Sequence, residues 1–315
     1  MTKNILILSA GRRVELVNIF KEEVKKIRNI NVFLSDSKPQ YSAACRLNKK
    51  IIKLPNCENK NYIQILMKKA LLNNIKLILP TIDPELTILS KFKDTFKKYE
   101  INIIISDHYF IKDCNNKILT KKIFSFLKIK YPKIYERNEI KYPCINKPIS
   151  GSGSKNITIL KNSKDLSEKM LRNKKNFFSK FISGYTEFTV DMYFDKKSFL
   201  KNIIARERLD VRNGEVIKSI TNLRISNFLR KKFSKINGVI GPITIQLLIH
   251  TKKLDIYGIE INPRLGGGVT LSYKAGYNFP KNIVNEYILE KNIKDNSMHK
   301  DKLLLLRYDR DFITQ

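Results

Sequence analysis

The chain has 315 residues, 42% of them hydrophobic, and carries 61 Lys and Arg against 29 Asp and Glu, a formal charge of +32. This is globular composition at a length that buries a substantial core and suits two domains, and no apolar run reaches the roughly 18 residues of a membrane helix. The basic excess is mostly lysine scattered beside abundant Ile and Asn, which an AT-rich genome would produce. The cluster, arginine-rich arm or stacking platform of a dedicated nucleic-acid binder is missing, so no specific nucleic-acid partner is expected. Solvated lysine faces are the plain reading, with some attraction for anionic substrates.

In chain order, MTKNILILSA reads as a short apolar strand (4–8), not a signal peptide, for it lacks the longer apolar core and cleavage site. A helix is predicted over 12–27, with Val14, Val17, Phe20 and Val24 on one side, and a second strand over 31–34 that ends at Asp36. A helix at 61–73, the strand 76–79, a helix opened by Pro84 and the strand 101–106 follow. Alternating strands and helices imply an α/β domain with a parallel, Rossmann-like sheet over 1–110. From 111 to 315 the texture becomes α+β: helices at 115–128, 163–173 and 227–237, strands at 176–183 and 186–194 and onward to 225, then a hairpin and a closing strand in DKLLLLRYDRDFI. Cys45, Cys57, Cys114 and Cys144 form no CxxC and the three histidines are scattered, which argues against zinc and disulfides and fits a reducing cytoplasm.

The hairpin is the most informative segment. GPITIQLLIH (241–250) and LDIYGIEIN (254–262) both read as strands. Period two sends Glu260 and Asn262 to one face. A turn centred near Lys253 sets Gln246 opposite Glu260. Three oxygen-bearing groups on one face suit a hard cation such as Mg²⁺; the alternative is a solvated polar face. Pro263 ends the ladder, Arg264 offers a fork for an oxyanion, and Gly266, Gly267 and Gly268 would let backbone approach a ligand.

Other segments are weaker alone. SAGRR (9–13) opens a helix beyond a parallel strand, where Gly11, Arg12 and Arg13 could meet an anion, but one glycine does not make a dinucleotide fingerprint. NKPISGSGSKN places Lys147 before a loop of Gly151, Ser152, Gly153 and Ser154 able to fold amides over phosphate; it is no Walker loop, since the lysine precedes the glycines. In FFSKFISGYTEFTVD, Phe181 and Ile182 could flank a flat base and Glu187 accept from a ribose, or the segment is a hairpin with a surface acid. Arg206 and Arg208 share a strand face.

Taken together and in order, these pieces resemble the ATP-grasp superfamily, specifically its carbamoyl-phosphate-synthase-like members, over almost the whole chain. ILPTIDPEL and ISDHYFIKDCNNK resemble landmarks of the N-domain, and GPITIQ…GIEINPRLGGG the metal-binding end. The resemblance implies a pre-ATP-grasp domain (1–110) and an ATP-grasp domain (111–315) with a nucleotide-covering lobe at 111–183 and a metal-binding lobe at 184–315. It implies ATP on Lys117, Lys147, the 151–154 loop and Arg206, with adenine between Phe181 and Ile182 and ribose on Glu187. Mg²⁺, or Mn²⁺ in its place, would sit on Gln246, Glu260 and Asn262, and Arg264 would face the transferred phosphoryl group beside the catalytic Glu260 and Asn262. Many relatives carry an acid where this chain has Lys180, but adenine-hinge contacts are largely backbone. The expected activity is a cytoplasmic ligase, with a homodimer left open, joining a small carboxylate to an amine or other nucleophile through an acyl phosphate. Open alternatives are a kinase or synthase on the same fold, and a non-enzymatic basic binding module.

Overall fold

The computed structural model describes residues 3–27, 29–151, 156–296 and 298–314. Its first part alternates strand and helix: β1 (Asn4–Ile7), α1 (Val14–Val24), β2 (Val32–Asp36), α2 (Ala43–Arg46), β3 (Ile51–Lys53), α3 (Tyr62–Leu72), β4 (Ile75–Leu79), α4 (Asp83–Lys98) and β5 (Asn102–Ile103). All neighbours in the order β3-β2-β1-β4-β5 run parallel. The period of the strands decides the layers. Ile5 and Ile7 of β1 face Val17, Phe20 and Val24 of α1, while Leu6 and Leu8 face Leu66 of α3 and Leu86 and Leu89 of α4.

The chain continues through α5 (His108–Cys114) and α6 (Thr120–Phe126) into a four-stranded antiparallel sheet of β6 (Ile134–Tyr135), β7 (Cys144–Pro148), β8 (Thr158–Leu160) and, after α7 (Glu168–Arg172), β9 (Asn176–Lys180). The Gly/Ser segment joins β7 to β8; Ser152, Gly153 and Ser154 lie outside the described residues. A six-stranded antiparallel sheet follows, ordered β14-β13-β10-β11-β12-β15. Its elements are β10 (Thr186–Phe194), β11 (Leu200–Arg212), β12 (Glu215–Thr221), α8 (Leu223–Arg230), β13 (Gly241–His250), β14 (Asp255–Asn262), α9 (Val269–Ala275), α10 (Phe279–Tyr287) and β15 (Leu304–Leu306). Phe188, Val190 and Met192 of β10 bury one face under α6 and α8. The opposite face is polar along Glu187, Thr189 and Asp191. Among the described residues no helix is long and apolar enough to cross a membrane.

Several predicted elements are broken by side-chain capping. The helix expected at 115–128 starts only at Thr120, because the Asn116 carboxamide accepts from Ile118 and Leu119 N–H and holds a turn. The helix expected at 163–173 divides into a 3-10 turn capped by Asn162 and a short helix capped by Ser167. The one expected at 227–237 begins earlier, where Asn222 accepts from Ile225 N–H. The strand expected at 101–106 is only two residues long.

Candidate active site

One rung of the large sheet sets the centre. Gln246 stands opposite Glu260 in the β13–β14 hairpin, and opposite Thr189 on β10, which in turn faces Arg206 on β11. Thr244 faces Asn262 two rungs along, on the same face. Asn262 Nδ2 donates to Glu260 Oε1 at 2.7 Å, and Gln246 Nε2 donates to the same oxygen at 3.4 Å. Lys117 Nζ lies 3.8 Å from the other carboxylate oxygen. It sits in the turn made by Asn116, and its ammonium also donates to Gly151 O at 2.5 Å, while Tyr131 OH donates to its carbonyl at 2.7 Å. A cleft of about 240 Å³ opens here, lined by Asp83, Asn115, Lys117, Gly151, Glu260 and Asn262 among others.

Lys147 lies on β7, 5% exposed, its ammonium 5.1 Å from the Phe177 ring centroid and 5.8 Å from that of Tyr131. Burial, then the nearby Lys117, lowers its pKa to about 8, against a smaller pull from Glu260. Two lysines around one carboxylate leave an excess of positive charge suited to a polyanion. The oxygen donors available to a divalent cation are one carboxylate and two amides. Among the described residues no group of three His, Cys, Asp or Glu side chains offers a metal site. This hard, oxygen-only set fits Mg²⁺ rather than zinc, provided both amides turn their oxygens inward.

Arg264 makes a bidentate pair with Asp83, both bonds 2.7 Å, tying the end of the metal-type strand to the first turn of α4. Arg13 joins this junction: its guanidinium donates to Thr81 O at 2.9 Å, and burial followed by the charge of Arg264 lowers its pKa to about 10. Arg12 pairs with Glu215, which also takes Arg307.

The remaining residues are dispersed. Glu187 pairs with Arg208 at 3.2 Å; its pKa is raised by burial, against Arg208, with Glu260 adding to the rise. Phe181 and Ile182 follow β9 half-buried, and Phe181 N–H donates to Pro143 O. None of these three lines the cleft. Arg206 is 1% exposed, with Nε on Asp191 Oδ2 at 2.8 Å, and Asp191 also accepts from Thr244 and Ser272. The glycines have a different use from the one expected. A Cβ on Gly268 would stand 2.4 Å from Arg206 Nη1, and one on Gly266 would stand 3.0 Å from Thr244. Their missing side chains make room for this chain's own buried pair rather than for a ligand. Asp191 escaped sequence reasoning as a member of the site; only the alternation of TEFTVD hinted at it.

The polar sheet face, the β7–β8 loop and the parallel domain that meets them at Arg264 together define an ATP-grasp protein. Residues 114–268 match the family model of the ATP-grasp domain, and residues 5–104 that of the PylC-like N-terminal domain. The chain carries the PylC-like N-terminal domain first and the ATP-grasp domain after it. No curated protein matches it. Solved structures share its fold. Biotin carboxylase from Campylobacter jejuni, in complex with β-γ-ATP, has a TM-score of 0.74 at 17% identity over 96% of this chain and 74% of its own. N5-carboxyaminoimidazole synthetase from Staphylococcus aureus, complexed with ADP, gives 0.70 at 16% over 96% and 81%. The L-amino acid ligase from Bacillus licheniformis gives 0.66 at 18% over 91% and 74%.

Proposed function

We propose that the chain is an ATP-dependent ligase that activates a small carboxylate as its acyl phosphate and passes the acyl group to an amine, releasing ADP and phosphate. The observation that carries this reading is Glu260, flanked by two amides and faced by Lys117, with Lys147 close behind and Arg264 at the strand end. ATP would place its phosphates on Lys117, Lys147 and the loop from Gly151, and Mg²⁺ would be held by Gln246, Glu260 and Asn262. The metal would neutralise charge on the transferred phosphoryl group. The carboxylate oxygen attacks the γ-phosphorus as the bond to ADP breaks; the amine then attacks the carbonyl carbon and phosphate leaves. Arg264 would orient the acid once Asp83 yields part of its hold, with Arg13 adding positive charge. Phe181, Ile182 and Glu187 remain the proposed adenine and ribose contacts, and Arg206 supports the phosphate floor through Gly268. The biotin carboxylase structure in complex with β-γ-ATP, the synthetase structure complexed with ADP and the structure of the L-amino acid ligase support this reading by likeness of fold.

The test is a screen of carboxylic acids with Mg-ATP and hydroxylamine. The cognate acid should yield a hydroxamate together with ADP, and Glu260→Ala should lower the rate at least about 10²-fold, the effect of one lost electrostatic stabiliser. AMP and pyrophosphate in place of ADP and phosphate would refute the acyl phosphate. A stable phosphorylated acid that hydroxylamine does not trap would mark a kinase.

A further inference from the structure

A second cleft, of about 160 Å³, opens at the carboxyl ends of the parallel strands. Ser9 stands there after β1, Asp36 at the end of β2, Cys57 after β3, and Glu85 in the first turn of α4 after β4. The strand order reverses between β1 and β4, the topological switch point where open parallel sheets take ligands. Three carboxylates line the cleft, Asp36, Glu58 and Glu85, and no lysine or arginine does. In a chain of charge +32 that exclusion is informative.

Glu85 is the centre of it. The residue is 3% exposed, and its Oε1 accepts from Ser9 Oγ at 2.7 Å and Tyr62 OH at 3.0 Å. Its Oε2 is buried with no hydrogen-bond partner. A buried acceptor without a donor is costly unless a ligand supplies one. Asp36 is already tied to backbone, accepting from Gly11 N–H at 3.1 Å and Lys38 N–H at 3.0 Å, so its charge is held in place. The groups facing Glu85 are Ser9 from the end of β1, Asp36 from β2, Cys57 after β3, Tyr62 from α3 and the Thr81 backbone, and none is cationic. Burial, the largest influence, raises its pKa to about 7 in spite of the hydrogen bonds, and Asp36 adds to the rise. The segment Ile82–Glu85 walls both clefts: Pro84 lines each, and Asp83 between them grips Arg264.

We propose that this cleft is a binding subsite for a primary ammonium group, the amine substrate of the ligase, with Glu85 Oε2 as its acceptor and Asp36 as a second negative charge. The assignment to the amine substrate rests on the ligase reading; the ammonium site itself stands on the cleft. A cation here would satisfy the orphaned oxygen and relieve the repulsion between Glu85 and Asp36. The shared wall would bring the amine next to the acid held at Arg264.

Calorimetry on the full chain with butane-1,4-diamine, butylamine, butan-1-ol and butyrate tests the site, with Mg-ADP titrated in parallel. At pH 8 the two amines should bind, and the alcohol and butyrate at least tenfold more weakly. Amine affinity should fall at least fivefold at pH 6, where Glu85 is mostly protonated. Glu85→Gln, checked for folding by circular dichroism, should lose at least tenfold in amine affinity. If that variant does not fold, Asp36→Asn and Ser9→Ala should each lose at least threefold. Butyrate binding as well as the amines do, or amine affinity unchanged in the folded variants, overturns the subsite. Absent Mg-ADP binding instead removes the nucleotide reading and leaves an amine site, if found, in place.

Discussion

Lys147 holds an ammonium at 5% exposure, and among the described residues no carboxylate lies within ion-pairing distance of it. Its lowered pKa measures the cost of burial, with Lys117 adding to it. The unfolded chain keeps that proton up to about 10.5, so it binds more protons than the folded chain between pH 8 and 10.5. Stability of the free protein should therefore rise with pH through that window and carry the full penalty below pH 8. A phosphate beside Lys147 would restore its ordinary pKa. Mg-ATP binding at pH 8.5 should then take up about three quarters of a proton at this residue. Calorimetry in two buffers of different ionisation enthalpy reads that number directly. Lys147→Met should abolish the uptake and weaken nucleotide binding about 10- to 100-fold, the range for a hydrogen bond to a charged group. Uptake unchanged in Lys147→Met would mean the lysine is only a core residue.

At the scale of elements, the hairpin was legible because β-branched alternation fixes which side chains share a face, and a short polar connection fixes the register. Gln246 does stand opposite Glu260, but a register shift between Gln246 and Leu247 completes the match: the turn pairs His250 with Asp255, and unbroken alternation from there would set Gln246 opposite Ile259. The helix boundaries at 115–120 and 222 were not legible, since one Asn side chain decides each by competing for backbone N–H groups. The three glycines show a subtler limit. Their sequence does not tell which of them must lack a Cβ; the buried Arg206–Asp191 pair and its anchor Thr244 exclude one at Gly266 and Gly268 but not at Gly267. That pair is anchored by Ser272 and Thr244, so the guanidinium has little room to withdraw. Gly268→Ala should cost about 1–3 kcal/mol, as overpacking of a filled core does. Gly267→Ala, whose added atom would meet nothing nearer than Arg307 at 3.9 Å, should be close to neutral. Thermal melts of the two variants side by side check this. Equal melting temperatures would show that Arg206 moves aside freely.

Across the whole molecule, sequence texture separates an α/β region from an α+β region, yet the cores do not respect that division. One cluster unites Ile5, Val17 and Phe20 of the parallel domain with Tyr193 and Ile204 of the large sheet and with Phe279 and Ile283 of α10. Phe20 meets Phe279 edge to face with centroids 5.7 Å apart, and Tyr273 OH donates to Glu23 at 2.9 Å. Such contacts join positions more than 200 residues apart, and amphipathic periodicity cannot show which apolar face meets which. Their consequence is thermodynamic. The far C-terminal helix supplies part of the cover for α1, so the parallel domain should not unfold on its own. Phe279→Ala removes a fully buried ring and should cost about 3–5 kcal/mol. The loss should reach the N-terminal strands as well as α10. Amide exchange read by mass spectrometry would then show faster exchange in β1 and α1 together with α10. Exchange accelerated in α10 alone, with β1 and α1 as protected as before, would establish the parallel domain as a separate cooperative unit.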